Sequence, residues 1–490
     1  MENKIKNYLN TIDEVIKNGD YKDNWQSLAM HKTPAWYKKG RFGLFVHWGV
    51  YSVPAFFNEW YPRLMYDKKN PAYSHHIAKY GKDFEYRQFI DMFKPASFNA
   101  DDWAELFKAS GAKYVMPVGE HHDGIKMYGS DLSRWNMVNL NNKDYMLELK
   151  DALEKRDMQF LCSFHRAEHY WFFNTATKYV KDSEVVTNKD LSDLYGPSFL
   201  PETGNLHKTD KEIHATKEYL EEWLCHIAEF VDKLQPSAIY LDWWVQKKEF
   251  KPYLKKFLAY YYNRALEWNK EVTVFYKWGA VMNGCATFDV ERGQVDGILP
   301  ELWQNDTAIA KNSWGYTESN KFKNPCELIR NLIDVVSKNG CLMLNVGPKA
   351  DGTITEEEKN VLLTFGKWLK TNGEAIYDAD ICELGYGEGK MSTGNGAFKD
   401  SINYSDKDYR FTYKTGSFYV FPMTKKSKNT FTIKSLRHSN EGGIRYDITG
   451  VEILGYNGQV TYLQNEKALI VNTSTKIDNT LPICIKVSVD

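Results

Sequence analysis

The sequence lacks the features of a disulfide-bonded or membrane-spanning protein. Its seven cysteines are scattered, odd in number and form no C-x-x-C pair, which argues against a disulfide framework and against a thiolate zinc site. No apolar run approaches the length of a membrane span. The first twenty residues contain no apolar core of a secretory signal, so we expect a cytoplasmic protein, or an exported one whose signal has been removed.

Neither sign of charge dominates the chain. Lys and Arg total 63, Asp and Glu total 64, and the formal net charge is -1. Nucleic acids and anionic membranes select basic surfaces, so we expect neither as a partner. No G-x-G-x-x-G opens a helix, which disfavours dinucleotide binding, and no H-E-x-x-H is present to hold zinc.

Short apolar runs alternate with amphipathic helical stretches between about residues 35 and 380. The apolar runs, which predict strands, are 42–47, 113–118, 158–164, 237–241, 272–276 and 341–346. Repeated strand–helix units build parallel sheets, and in a closed barrel the polar residues that follow the strands would meet at one face. We therefore predict an α/β fold with a (β/α)8-like TIM barrel over 35–380, after an N-terminal helical extension over 1–34.

The pattern changes near residue 385 to short runs in which apolar and polar residues alternate. This pattern predicts a C-terminal antiparallel β-sandwich domain over 385–490. Asn457-Gly458, just ahead of an apolar run at 460–463, predicts a β-hairpin at that point. In the barrel region, Thr355 with Glu358 predicts the capped start of a helix.

Asp242 directly follows a predicted strand and precedes Trp243 and Trp244. A carboxylate that is held at a strand end between indoles is partly desolvated, which suits a nucleophile that attacks an anomeric carbon. The alternative is an aspartate that caps a helix or forms an ion pair at the barrel rim. The residues alone favour the two about equally.

The run Glu120-His-His-Asp-Gly124 also follows a predicted strand. Its side chains could ligate a metal, bind a polyhydroxylated ligand, or be satisfied by carbonyl groups in the core. Adjacent histidines on an extended chain point in opposite directions, which disfavours the metal site. Two further triplets, His47-Trp-Gly49 and Glu59-Trp-Tyr61, place polar and aromatic groups together after the first strand.

Nine short motifs stand in order between about residues 35 and 380. They are Phe42-Gly-Leu-Phe-Val-His-Trp-Gly49, Asn58-Glu-Trp-Tyr61, His121-His-Asp-Gly124, Ser133-Arg-Trp-Asn136, Tyr240-Leu-Asp-Trp-Trp244, Asn312-Ser-Trp-Gly-Tyr316, Asp334-Val-Val-Ser-Lys-Asn-Gly340, Leu344-Asn-Val-Gly-Pro348 and Asn372-Gly-Glu-Ala-Ile-Tyr377. Together they closely resemble the α-L-fucosidases of glycoside hydrolase family 29. The resemblance also implies a barrel followed by a β-sandwich.

The resemblance implies a retaining exo-glycosidase that removes terminal α-L-fucosyl residues from a fucosylated oligosaccharide or glycoconjugate. The reaction would be a double displacement through a fucosyl-enzyme on Asp242, with no cofactor and no metal. By motif, the residues that would hold the sugar hydroxyls and ring are His47, Glu59, Trp60, His121, His122 and Arg292. Phe45 and Trp314 match the aromatic residues that enclose the methyl group of fucose.

Two stretches depart from the family pattern. Ser163-Phe164-His165 replaces a stretch that carries a tyrosine ring in many members, so His165 and Glu168 could take over some contacts. Gln304 follows Trp303 where the better-known members have the glutamate that serves as acid/base. Since an amide cannot protonate a leaving oxygen, another carboxyl group must supply the proton, or the activity is lost.

We predict that this carboxyl group is Glu291, which adjoins Arg292, and that Glu301 is the second candidate. Two other functions stay open on the residues alone. Gln304 favours a non-catalytic fucose-binding protein on a glycosidase barrel, whereas the intact Asp242 disfavours it. A histidine-rich metallohydrolase is the third alternative, and loss of activity on chelation would support it.

Overall fold

The computed structural model describes residues 2–178, 193–198, 215–390, 396 and 403–490. Its centre is a closed barrel of parallel strands, in which β1 pairs with both β2 and β9. The barrel strands are β1 (Phe42–Val46), β2 (Tyr114–Glu120), β3 (Gln159–Phe160), β4 (Cys162–Phe164), β5 (Ala238–Leu241), β6 (Thr273–Tyr276), β7 (Thr287–Glu291), β8 (Trp303–Ala308) and β9 (Gly340–Val346). β3 and β4 are two pieces of one barrel strand, because both pair with β2. The predicted (β/α)8-like barrel is confirmed.

Several helices begin at side chains that accept the free backbone N–H groups of the first turn. Asn99 accepts from Asp101 and Asp102, and Thr355 accepts from Glu358 as predicted. The helices are Glu2–Asn18, Trp25–Leu28, Ala35–Gly40, Tyr61–Leu64, Pro71–Tyr80, Phe89–Met92, Ala100–Ala109, Met137–Asn141, Tyr145–Glu154, His169–Phe172, Lys217–Leu234, Lys251–Glu267, Pro325–Ser337 and Glu356–Asn372. Among the described residues, we find no helix with the length and apolar character that a bilayer crossing requires.

Two antiparallel sheets follow the barrel, as the sequence predicts. One sheet has the order β10-β11-β12-β17-β14 and the other the order β13-β16-β15. The strands are β10 (Gly387–Glu388), β11 (Tyr409–Lys414), β12 (Ser417–Pro422), β13 (Lys428–Ile433), β14 (Ile448–Ile453), β15 (Val460–Gln464), β16 (Leu469–Ile477) and β17 (Ile485–Val489). Their apolar side chains, among them Phe411, Phe418, Val471 and Val487, form one buried core.

The hairpin predicted at Asn457-Gly458 is wrong. The strand before it, β14, pairs with β17, and the strand after it, β15, pairs with β16. The turn therefore carries the chain from one sheet of the sandwich to the other. An Asn-Gly pair favours a tight turn, but pairing of the flanking strands depends on which partners complete each sheet.

Buried charges dock the sandwich on the barrel helix Pro325–Ser337. Arg410 of β11 donates to Asp334 at 2.5 Å, and Lys338 lies 2.8 Å from the other oxygen of the same carboxylate. Burial alone would raise the pKa of Asp334, but the two cations hold it below its usual value. Arg330 donates to backbone oxygens of the sandwich, including Met423 and Asn479. The polar groups at this interface are thus paired rather than left unsatisfied.

Candidate active site

A cavity of about 840 Å³ opens at the carboxyl ends of the barrel strands. His47 follows β1, Asp242 follows β5, and Glu291 is the last residue of β7. Nine of the ten predicted site residues line this cavity: Phe45, His47, Glu59, Trp60, His121, His122, Asp242, Glu291 and Trp314. Parallel strands of a barrel end on one face, so side chains that are far apart in sequence meet there.

Asp242 lies in the cavity and its side chain keeps 14% of its surface exposed. Its Oδ1 is 3.1 Å from Lys277 Nζ, and its Oδ2 accepts a hydrogen bond of 3.0 Å from His165 Nδ1. Burial alone would raise the pKa of Asp242, but the ammonium of Lys277 and the bond from His165 hold it well below its usual range. The carboxylate is therefore ionised and fixed in place at neutral pH.

Lys277 connects Asp242 to Glu291. Its Nζ lies 2.5 Å from Glu291 Oε2 and 3.1 Å from Asp242 Oδ1. Burial alone would lower the pKa of Lys277, but the two carboxylates hold it well above its usual range, so the ammonium stays charged. The carboxyl groups of a retaining glycosidase lie about 5–5.5 Å apart. Because Glu291 Oε2 and Asp242 Oδ1 both contact Lys277 Nζ, the distance between these two oxygens cannot exceed this range by more than about 0.1 Å.

Glu291 also meets the indole of Trp243, whose Nε1 donates to Glu291 Oε2 at 2.9 Å. The Glu291 side chain is 9% exposed, and the residue lines the cavity. Glu301, the second candidate from sequence, is exposed and lies in the loop before β8, outside the cavity lining. Glu291 is thus the predicted acid/base candidate that shares a cavity with Asp242.

Gln304 lies below the cavity in the barrel interior, fully buried. Tyr37 donates to its Oε1 at 3.3 Å, and its Nε2 donates to Asp289 at 2.8 Å. Burial and the neighbouring Asp306 carboxylate hold the pKa of Asp289 well above its usual range. The amide of Gln304 therefore satisfies buried groups in the barrel floor.

Three histidines in the cavity wall are neutral. Burial lowers the pKa of His122 to about 3 and holds those of His47 and His121 well below their usual range. His47 Nδ1 donates to Asn345 Oδ1 at 2.7 Å, which leaves its Nε2 as an acceptor. Neutral imidazoles can both donate to and accept from hydroxyl groups, so this wall suits an uncharged polyhydroxylated ligand.

Glu168 also lies near Asp242, because His122 Nε2 is close to both carboxyl groups. It is not among the predicted catalytic residues. His122 Nδ1 donates to the backbone oxygen of His165, so the neutral ring presents a bare Nε2 to Glu168 Oε2 at 3.2 Å. Burial, together with the charge of Asp242, holds the pKa of Glu168 well above its usual range. Glu168 therefore keeps its proton to higher pH than an ordinary glutamate does, and in the protonated form it can donate to His122.

Two sets of three side chains in this cavity could hold a metal ion, because the ligand atoms within each set lie within 4.8 Å of one another. They are His121 with His122 and His165, and His122 with Glu168 and Asp242. Both ring nitrogens of His165 already have partners, Asp242 and Ser163. A metal would have to displace these hydrogen bonds to gain His165 as a ligand.

Phe45 and Trp314 lie side by side in the cavity, with ring centroids 6.2 Å apart. Glu59 holds this part of the wall, because its Oε2 accepts from the backbone N–H of Trp314 and from Ser313 Oγ, each at 2.9 Å. Trp60 packs edge-on against His122 at 5.3 Å. The two rings form an apolar slot in the cavity wall.

Arg292 is the predicted site residue that does not line the cavity. Its guanidinium lies 4.7 Å from the centre of the Trp314 ring and donates to the backbone oxygen of Lys311 at 2.9 Å. Arg292 follows the last residue of β7 and has a left-handed backbone, so the chain turns there; Glu291 faces the cavity while Arg292 does not. In this structure Arg292 supports Trp314 from outside the cavity.

Four residues around the cavity hold a left-handed backbone that side chains rarely adopt. They are Phe57 (φ 68°), Trp244 (φ 83°), Trp278 (φ 45°) and Arg292 (φ 42°). Such strained residues persist where the surrounding structure holds them, and they cluster at functional sites. Phe57 and Trp244 line the cavity, whereas Trp278 and Arg292 lie next in sequence to the lining residues Lys277 and Glu291.

The chain is similar in sequence to known α-L-fucosidases. The profile of the family described as Alpha-L-fucosidase matches residues 9–374. The plasma alpha-L-fucosidase of Homo sapiens is 32% identical over 365 residues, which cover 72% of this chain and 71% of that protein. The tissue alpha-L-fucosidase of Bos taurus is 31% identical, with 73% of this chain and 71% of that protein covered.

The solved structures extend the likeness beyond the barrel. The crystal structure of Thermotoga maritima alpha-fucosidase in complex with fucose superposes with a TM-score of 0.74 at 26% identity. The match covers 95% of this chain and 100% of that one. On the profile, the relatives and the shared fold, the chain belongs to the α-L-fucosidase family.

Proposed function

We propose that this enzyme hydrolyses terminal α-L-fucosyl residues with retention, with Asp242 as nucleophile and Glu291 as acid/base. The observation that carries the proposal is the contact of both carboxylates with the single ammonium of Lys277. This contact limits the distance between the two bound carboxyl oxygens to about the 5–5.5 Å that double displacement uses. The neutral histidine wall and the apolar slot supply a matching sugar site.

In the first step an Asp242 oxygen attacks the anomeric carbon while the glycosidic bond breaks. Glu291 enters this step after taking up a proton from solvent in place of its ion pair with Lys277, and it passes that proton to the departing oxygen as the fucosyl-enzyme forms. In the second step a water molecule gives its proton to Glu291 and attacks the same carbon, which releases Asp242. Lys277 and His165 keep Asp242 ionised before the attack and again after its release.

The apolar slot gives the first testable prediction. An aryl α-L-fucoside is expected to exceed the matching α-L-galactoside in kcat/KM by roughly tenfold to a hundredfold. The two sugars differ only in the C6 hydroxyl of galactose, which would lose its water against Phe45 and Trp314. Steady-state kinetics on both substrates measures the ratio. Comparable kcat/KM values would remove the slot as the source of specificity.

A non-catalytic fucose-binding protein was the alternative that Gln304 favoured. In the structure Gln304 is committed to Tyr37 and Asp289 below the cavity, so its amide does not bear on the chemistry above. Release of nitrophenol from the same aryl fucoside separates the two functions. Fucose binding without any release would support the alternative and contradict our proposal.

The charge of Lys277 predicts a pH dependence. A nucleophile acts only when ionised, so activity is lost as the pH falls through the pKa of Asp242, which Lys277 depresses. Lys277→Met is therefore expected to move the acid limb of the kcat/KM profile to higher pH by about one unit or more. The substrate is an aryl fucoside whose acidic phenol needs no protonation.

Lys277→Arg serves as the matched control, because it keeps a positive charge at this position. Its acid limb is expected close to that of the wild type. An acid limb that stays in place in Lys277→Met would show that Lys277 does not set the ionisation of Asp242.

A further inference from the structure

A pair of stacked indoles leads outward from Glu291. The indole of Trp243 donates to Glu291 Oε2, and the ring of Trp278 stacks on that of Trp243 with centroids 6.1 Å apart and planes inclined by 22°. Trp243 lines the cavity, whereas Trp278 lies beyond it and is 50% exposed. The apolar surface is thus continuous from the carboxyl group to solvent.

Trp278 combines two properties that folding alone does not favour. A large indole is held half in water, and its backbone has a left-handed φ of 45°. The loop that carries it follows β6 directly after Lys277, the residue that contacts both Asp242 and Glu291. The strained, half-exposed indole is therefore adjacent in sequence to the residue that contacts both carboxylates, and backbone strain of this kind clusters at functional sites.

The reaction itself indicates which part of the substrate would lie against the two indoles. An acid/base must face the glycosidic oxygen, and the leaving group is bonded to that oxygen. A leaving group that extends past Glu291 toward solvent therefore meets the Trp243–Trp278 stack. A pyranose ring has one face of C–H groups, and such an apolar face packs against an indole while its hydroxyl groups stay in water.

We propose that the Trp243–Trp278 stack is a leaving-group subsite that binds the pyranose next to the fucose. The inference rests on the proposed function and deepens it. It assigns two residues of this chain to the sugar that leaves when a fucosylated oligosaccharide is cleaved. The subsite acts only on substrates that carry a ring beyond the scissile bond.

The test compares a fucosyl-galactose disaccharide with α-L-fucosyl fluoride, whose leaving group has no ring. Trp278→Ala is expected to lower kcat/KM for the disaccharide about tenfold and to leave that for the fluoride within about twofold. Trp278→Phe, which restores a flat ring, is expected to recover most of the loss. Met282→Ala is the matched control, because Met282 lies in the same loop and is 54% exposed.

Two outcomes for Trp278→Ala would contradict the subsite. An equal loss on both substrates would assign Trp278 to the catalytic site or to stability, and no loss on the disaccharide would leave the subsite without support. Either result overturns the inference. If the wild-type enzyme turned over neither substrate, the proposed function itself would fail. The thermal unfolding midpoint of each variant confirms that it is folded.

Discussion

Asp242→Gly is expected to lower kcat on an aryl α-L-fucoside by about 10⁴-fold or more, because it removes the carboxylate that forms the fucosyl-enzyme in the proposed mechanism. Fucose binding is expected to survive, since the histidines and the apolar slot remain. Steady-state kinetics and calorimetric titration with fucose measure the two effects. A variant that kept more than a small fraction of the wild-type rate would show that Asp242 is not the nucleophile.

Azide provides a second test of Asp242, because it can replace the missing nucleophile. The glycine leaves room beside Lys277 and His165 for a small anion, which can attack the anomeric carbon from the vacated face. Azide is therefore expected to restore part of the rate and to yield the β-fucosyl azide. Asp242→Asn is the matched control: it removes the charge but fills the space, so azide is expected to restore much less of its rate.

Glu291→Ala is expected to show a loss that depends on the leaving group. A fucosyl-oligosaccharide needs a proton on its leaving oxygen, and its kcat/KM is expected to fall roughly 10³-fold. The phenolate of an aryl fucoside with an acidic phenol departs without protonation. The rate constant of the first step on this substrate is therefore expected to stay within about tenfold of the wild-type value. Pre-steady-state kinetics on both substrates separates the first step from the second.

The second step of Glu291→Ala lacks a base for water, so azide is expected to accelerate it. The product is expected to be the α-fucosyl azide, the opposite anomer to that formed by Asp242→Gly. Glu168→Gln is the critical control, because the amide can still donate to His122 but cannot supply a proton for catalysis. If Glu168→Gln gave the leaving-group signature and Glu291→Ala did not, the acid/base role would move to Glu168.

Glu301→Ala is the second control, and it alters an exposed residue outside the cavity lining. Its kinetics are expected to match those of the wild type on both substrates. If instead Glu291→Ala lost both substrates equally and azide did nothing, Glu291 would be better explained as a carboxylate that orients Lys277 and Trp243.

The cavity residues that sequence predicts well are those at strand ends. His47, His121 and Asp242 each directly follow an apolar strand, and barrel closure brings such positions together. Lys277 follows a predicted strand in the same way, but a lone lysine after a strand is most often a solvated surface residue. Its role depends on two carboxylates from neighbouring strands, which only the closed barrel reveals.

Side-chain direction limited the other predictions. Glu291 and Arg292 are neighbours in sequence, yet one faces the cavity and the other packs behind Trp314. Gln304 lies in β8, where its side chain enters the barrel floor instead of the cavity. Motif position fixes a residue along the chain, whereas the layer it occupies inside a barrel depends on strand tilt and stagger.

Covalent trapping tests the central claim most directly. 2-Deoxy-2-fluoro-α-L-fucosyl fluoride carries a good leaving group for the first step, and its 2-fluorine slows hydrolysis of the intermediate. Peptide mass spectrometry of the inactivated enzyme is expected to find the fluorofucosyl group on Asp242, with no incorporation in Asp242→Gly. A label on Glu168 or Glu291, or inactivation without a label on Asp242, would contradict the account.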